Sequence, residues 1–437
     1  MQGTLRGDQR WLMHRTCDGL DSPFSGSPMR PVWSRDSPLN FTAMWKHFLE
    51  SAEGIRAVHR RQELRTVRLH IEGIEPSSKR GMPPEDKAKL QQYVANELAS
   101  MNRLAFRGPI AIDIWAGTTQ RNPSHVQSLA KNLLDLLAKP DHIKHTSNAL
   151  LFRDDNQVQG LSVRCDHGNA EPFIWITASP FSSVLLSMHL LGMNGDTIDD
   201  EARFDPSDLD MNRRLLRDLE RNPNDYEAST AKQLHRWYRA EVQASWLQGS
   251  SITPTELGGL YPHPVRSQET WRLRSNQPSK LLSDIFHVNR NRIFLPELPQ
   301  QDGESRSYKE YVRKAFKEYR AGFGRHLFPM DTPLAIEVII KPPPIQRQRG
   351  LHDLDNVCRD YLIPSLVELF SPPQVISSTL PTPGAGLIGY EAWRLARSAD
   401  DSSPGFVSIS LVSDLYGTES LLHRIERDVE KVLDQLE

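Results

Sequence analysis

Two short acidic motifs are the residues most able to do chemistry. The first is His352-Asp353-Leu354-Asp355-Asn356, where a basic, proline-rich loop meets the predicted start of a helix. Carboxylates two residues apart at a helix start can place one at the cap and one in the first turn, both near one point in space. Paired hard oxygen ligands of this kind suit Mg²⁺, which keeps several waters and takes one or two protein carboxylates plus phosphate oxygens. The same spacing equally suits an Asp N-cap that answers the helix dipole. The surroundings favour a phosphate-and-metal site: Lys341, Arg347, Arg349 and His352 precede the pair or join it, and Arg359 follows about one turn on. The second motif is Arg153-Asp154-Asp155-Asn156-Gln157-Val158, ahead of a predicted strand. By itself it reads as a turn, where Asp and Asn are favoured.

The elements that must carry these motifs occur twice. Alternation predicts a strand at 67–71, helical spacing a helix at 85–104, then a strand at 110–115, a helix at 126–137 and strands at 158–165 and 173–178. The turn Asp166-His167-Gly168-Asn169 suits a hairpin between the last two. After residue 290 the order returns: strand 292–295, helix 308–327, strand 334–340, helix 354–370, and strands 390–397 and 406–411 joined by a turn at 400–405. Gly-Pro-Ile-Ala-Ile-Asp-Ile at 108–114 echoes Thr-Pro-Leu-Ala-Ile-Glu-Val at 332–338, and Phe173-Ile174-Trp175-Ile176 echoes Phe406-Val407-Ser408-Ile409. Six elements in order with two local echoes point to an internal duplication. The predicted fold class is α+β, with two α/β units and a helical insert between them. The expected divisions are an N-terminal extension (1–64), a first unit (65–180), the insert (181–289) and a second unit with a C-terminal helix (290–437).

Taken together, the two motifs resemble those of the RusA-type Holliday-junction resolvases. That family carries D-x-D-N at a helix start with a Lys three positions beyond the Asn, then D-D-x-Q-V leading into a strand. In the second unit Asp353, Asp355 and Asn356 match the first motif and Arg359 stands at the Lys position. The later pair is missing there, and Gln374-Val375 is all that matches it. In the first unit Asp154, Asp155, Gln157 and Val158 match the later motif and Lys131 matches the Lys, whereas His125-Val126-Gln127-Ser128 replaces D-x-D-N. The resemblance implies two RusA-like units as a fused pseudo-dimer, one chain standing where the family uses two. It further implies a Mg²⁺-dependent endonuclease acting on branched or duplex DNA. Asp353, Asp355, Asp154 and Asp155 would be metal ligands, and Asp353, Asp355, Asp155 and Lys131 the catalytic set. Lys131, Arg153, Lys341, Arg347, Arg349 and Arg359 would grip phosphates.

Neither unit holds three acids by itself, which leaves three arrangements open. Asp155 could join Asp353 and Asp355 in one composite site, provided the groups come within a few Å. Each unit could instead keep an altered site, with His125 and Asp155 as a mixed set better suited to a transition metal. Or the nuclease chemistry is lost and the fold serves to bind nucleic acid or a protein partner.

Composition sets the frame. The chain has 437 residues, 25% charged and 38% hydrophobic, with mean hydropathy -0.52 and a formal net charge of -2. No global charge draws it to a polyanion, so any such surface must be a local patch. Three well-separated cysteines, Cys17, Cys165 and Cys358, argue against a zinc ribbon or disulfide framework and fit a reducing compartment. No apolar run approaches the ~20 residues of a membrane helix, and no secretory signal is evident. These features predict a cytoplasmic or nuclear protein that does not engage membranes.

Overall fold

A computed structural model describes residues 51–120, 124–144, 148–193, 206–222, 227–248, 251–261, 292–299, 305–344, 352–370, 387–397, 404–413 and 419–435, together with residues 48 and 402. The chain is mixed α/β, organised around one eight-stranded mixed sheet. In chain order the elements are α1 (Ala52–Glu63), β1 (Val67–Glu72), α2 (Pro84–Ser100), β2 (Ile110–Thr118), α3 (Val126–Ala138), β3 (Val158–His167) and β4 (Phe173–Pro180). Then come α4 (Phe181–Met193), α5 (Pro206–Arg221), α6 (Ala228–Gln248), α7 (Pro254–Gly259), β5 (Arg292–Pro296), α8 (Ser305–Leu327) and β6 (Leu334–Lys341). The next helix, α9, starts at Leu354–Asn356, widens into a π-helical turn at Val357–Leu362 and resumes as Ile363–Phe370. β7 (Gly389–Arg394), β8 (Phe406–Ser413) and α10 (Leu421–Asp434) complete the described fold.

The strands lie in the order β1-β4-β2-β3-β7-β6-β8-β5. From either edge the pairing is the same: antiparallel, antiparallel, parallel. The two sets of four meet at an antiparallel seam between β3 and β7. One rung crosses all eight strands and reads Arg68, Thr177, Asp113, Ser162, Glu391, Glu337, Ser410, Arg292. From both edges it runs arginine, hydroxyl, carboxylate. The echo between 108–114 and 332–338 is thus spatial, since Asp113 and Glu337 hold corresponding positions.

Two details correct the sequence-based expectation. β3 and β4 do not form a hairpin, because β2 lies between them and pairs with both. β7 and β8 are likewise separated by β6. Turn residues at 166–169 and 400–405 signal a reversal of direction, and a reversal is satisfied equally well by crossing over one strand. β2 and β6 are buried at nearly every position and mostly apolar because they are central and covered on both faces.

One face of the sheet packs against α2, α3, α8 and α9 through residues such as Leu90, Leu133, Val312, Phe316 and Leu362. The other packs against α4, α7 and α10 through Val184, Leu257 and Ile425, together with Ile55 and Val58 of α1. Within the stretch expected as an insert, α4 covers this second face, and α6 anchors Asp331 just before β6 through Gln243 and Arg239. The insert is therefore integrated with the sheet. No described helix is long and apolar enough to cross a membrane.

A candidate metal centre at the seam

The seam brings the two acidic motifs together. Asp155 lies in a single 3-10 turn, Asp155–Gln157, immediately ahead of β3. Asp353 and Asp355 lie at the start of α9, whose first turn packs against β3, β7 and α3. Carboxylate oxygens of Asp155, Asp353 and Asp355 all fall within 4.8 Å of one another. Of the arrangements left open by the sequence, this is the composite one. The motifs meet because β3 and β7 are neighbours in the sheet.

The local chemistry separates candidate ligands from structural residues. Asp353 stands at the N-cap position of α9, yet its side chain makes no hydrogen bond to the helix backbone. Instead its Oδ2 accepts from Asn356 Nδ2 at 2.9 Å, which turns the carboxylate toward the cluster. Asp154 does the opposite. Its Oδ1 accepts from Asn156 N at 2.8 Å and it caps the 3-10 turn, lying outside the cluster. The expectation that Asp154 is a metal ligand is corrected: its lone pairs serve the turn.

Gln157 immobilises the same turn. Its Nε2 donates to the carbonyls of Phe106 (3.0 Å) and Gly108 (2.9 Å), while its Oε1 accepts from Arg153 N (2.8 Å) and Asp154 N (3.1 Å). One side chain thus ties the strand-entry loop to the segment ahead of β2 and fixes where Asp155 points. In α9 the π-helical turn answers Pro364, which has no N–H to give Asp360 and whose ring would crowd that carbonyl.

Lys131, near the middle of α3, donates to Asp155 Oδ2 at 2.6 Å and stands 3.4 Å from Asp355 Oδ2 and 3.3 Å from Asp135 Oδ1. Burial alone would lower its pKa. The hydrogen bond it donates to Asp155 and the charges of Asp355, Asp155 and Asp135 outweigh this and raise it, so it remains an ammonium. Burial raises both acids of the pair, opposed by Lys131 and reinforced by neighbouring carboxylates. Asp353 is pushed up to about 6, and Asp355, only 2% exposed, is also raised.

Like charges this close repel by about 3–4 kcal/mol per pair at an effective dielectric near 20, so one ammonium leaves three carboxylates undercompensated. Asp353 Oδ1 and Asn356 Oδ1 are buried and accept no hydrogen bond among the described residues, and Asp355 Oδ2 has only the Lys131 ammonium at 3.4 Å. Three convergent carboxylates, with buried oxygens of Asp353 and Asp355 lacking a hydrogen bond, are a donor set that fits a hard divalent cation.

The other expected site residues distribute unevenly. Arg359 is half-buried and paired with Asp360 at 2.8 Å, though near enough to lower the Asp355 pKa. Arg153 is exposed beside the turn. Lys341 is buried at the end of β6, 6% exposed, and this corrects its assignment to a phosphate-gripping surface. Arg347 and Arg349 lie outside the described residues, as do Gln374 and Val375. His125 is exposed at the N-cap of α3 and belongs to no metal-ligating cluster among the described residues, against the mixed His125–Asp155 set.

Sequence reasoning missed Arg394 on β7. It is 3% exposed, donates from Nη2 to the carbonyl of His352 and bears electrostatically on Asp353. An arginine in a central strand flanked by apolar residues was the signal. The chain matches no protein-family model, no curated protein and no solved structure.

Proposed function

We propose that this protein is a Mg²⁺-dependent, structure-selective endonuclease acting on branched DNA, built from two RusA-like units fused as a pseudo-dimer. The observation that carries the reading is the meeting of Asp155 with Asp353 and Asp355 within 4.8 Å, from motifs far apart in the chain. Support for the fused pair comes from the strand order and the eight-strand rung, which read alike from both edges.

Asp155, Asp353 and Asp355 would hold the cation, which when bound supplies charge to a phosphoryl oxygen and a water acidic enough to attack phosphorus. Lys131 offsets part of the repulsion among the carboxylates and presents an ammonium toward the same space. Asn356 and Gln157 fix the directions of Asp353 and Asp155. Arg153 is exposed two residues before Asp155 and would meet a phosphate, and backbone contacts of that kind give salt-dependent affinity.

The test is incubation of the purified protein with a labelled four-way junction and Mg²⁺, comparing wild type with Asp355→Asn and Asp155→Asn. Cleavage by wild type alone is the expected result. Cleavage that survives both substitutions would exclude the proposed site. Junction binding without cleavage would favour a RusA-like protein that binds and does not cut.

A further inference from the structure

The acids are divided between the two halves in a pattern that has a structural meaning. α3 follows β2 and α9 follows β6, and β2 and β6 hold corresponding places in the sheet. His125 and Asp353 each occupy the N-cap of their helix. An operation exchanging β3 with β7 therefore exchanges the start of α3 with the start of α9. It also exchanges the entry to β3 with the entry to β7.

Each composite site must then take its D-x-D pair from one half and its later Asp and its Lys from the other. One such set is complete: Asp353 and Asp355 with Asp155 and Lys131. The reciprocal set would be His125 and Gln127 with a carboxylate from the segment ahead of β7, yet residues 371–390 contain no Asp or Glu. Its cation would be Arg359, which is tied to Asp360. The losses thus fall entirely on one of two reciprocal sites. Had each half built its own site, the same losses would have broken both.

Resting on the endonuclease reading, we infer that the chain has one metal site and cuts one strand per encounter. Its product is a nicked junction, unlike the paired symmetric nicks of a homodimer with two sites. In each cut the oxygen of one water bonds to phosphorus, the bond from phosphorus to one sugar oxygen breaks, and a water proton leaves on that oxygen.

The experiment is cleavage of a supercoiled plasmid bearing an extruded cruciform in Mg²⁺, followed over time. Nicked circles are expected as the first product, with linear DNA arising only from a later, separate event. Linear DNA formed at the rate at which supercoiled DNA disappears would overturn the inference while leaving the endonuclease reading intact. Absence of any cleavage would remove both. Calorimetric titration with Mn²⁺ gives a readout independent of activity. Asp155→Asn and Asp355→Asn should each abolish the specific binding, and survival of half the sites in either variant would overturn the single-site inference. The double variant His125→Ala, Gln127→Ala should nick at the wild-type rate, and a loss of rate would also overturn it.

Discussion

Lys131 Nζ reaches across the β3–β7 seam to stand 3.4 Å from the buried Oδ2 of Asp355. Because the same ammonium donates to Asp155, one side chain bridges the two acidic motifs. Breaking a partly buried ion pair from one side leaves the remaining charges uncompensated, at a cost of about 2–4 kcal/mol. Lys131→Met should therefore lower Tm in metal-free buffer. Adding Asp155→Asn to that variant should recover part of the loss, because the cycle then removes a repulsion. Mn²⁺ should stabilise Lys131→Met more than wild type. A Lys131→Met protein that melts like wild type without metal would sink this account.

Gln157 supports Asp155 through four backbone hydrogen bonds, none of them to the carboxylate itself. Gln157→Leu keeps the volume and removes all four. The strand should persist, since β3 is buried between two neighbours, while Asp155 loses its fixed direction. The expected result is weaker Mn²⁺ binding, by about 10–100-fold as for other residues that orient metal ligands, with an unchanged far-UV spectrum. Equal affinity in the variant would refute the positioning role.

These two residues also show what the sequence could and could not convey. Element existence and order were legible because each apolar period is local, and the matching sheet positions of Asp113 and Glu337 were legible because they sit in similar strings. The strands that intervene after the turns at 166–169 and 400–405 were not, because a turn specifies a change of direction and says nothing about which strand lies between. At the site, both motifs were legible as acidic pairs, but their meeting was not, since adjacency of β3 and β7 is a property of the closed sheet. The two aspartates of Asp154-Asp155 look alike in sequence. Only the capping bond to Asn156 N separates the structural one from the candidate ligand.

The seam itself is closely packed. A Cβ built on Gly160 of β3 would meet the Trp393 ring of β7 at 2.6–3.0 Å, and Trp393 is itself 1% exposed. Glycine here lets the indole lie flat over the backbone at the rung where the halves join. Gly160→Ala should destabilise the fold by about 1–3 kcal/mol, as overpacking of a rigid core does. Because the seam positions both acidic motifs, the variant should also bind Mn²⁺ more weakly. The double variant Gly160→Ala, Trp393→Leu relieves the clash and should recover metal binding. Failure of that recovery would show that Gly160 matters for some other reason.

On the face of the sheet away from the acidic cluster, Glu391 ties α10 to the seam. Its Oε1 accepts from Leu421 N at 2.8 Å and from Trp393 Nε1 at 3.1 Å. Burial pushes its pKa up to about 7, with Arg424 opposing and Glu337 reinforcing the shift. A carboxyl raised above its unfolded value adds stability that is fully present below the unfolded pKa and is lost as pH rises through the folded one. The window for Glu391 is therefore about pH 4.5 to 7. Gln keeps the acceptor oxygen and removes the charge, so Glu391→Gln should match wild type near pH 5. At pH 8 it should exceed wild type, by an amount on the order of 1–3 kcal/mol. The check is a pair of thermal melts at the two pH values. A variant less stable than wild type at pH 8 would mean that Arg424 holds the ionised form of Glu391 in place.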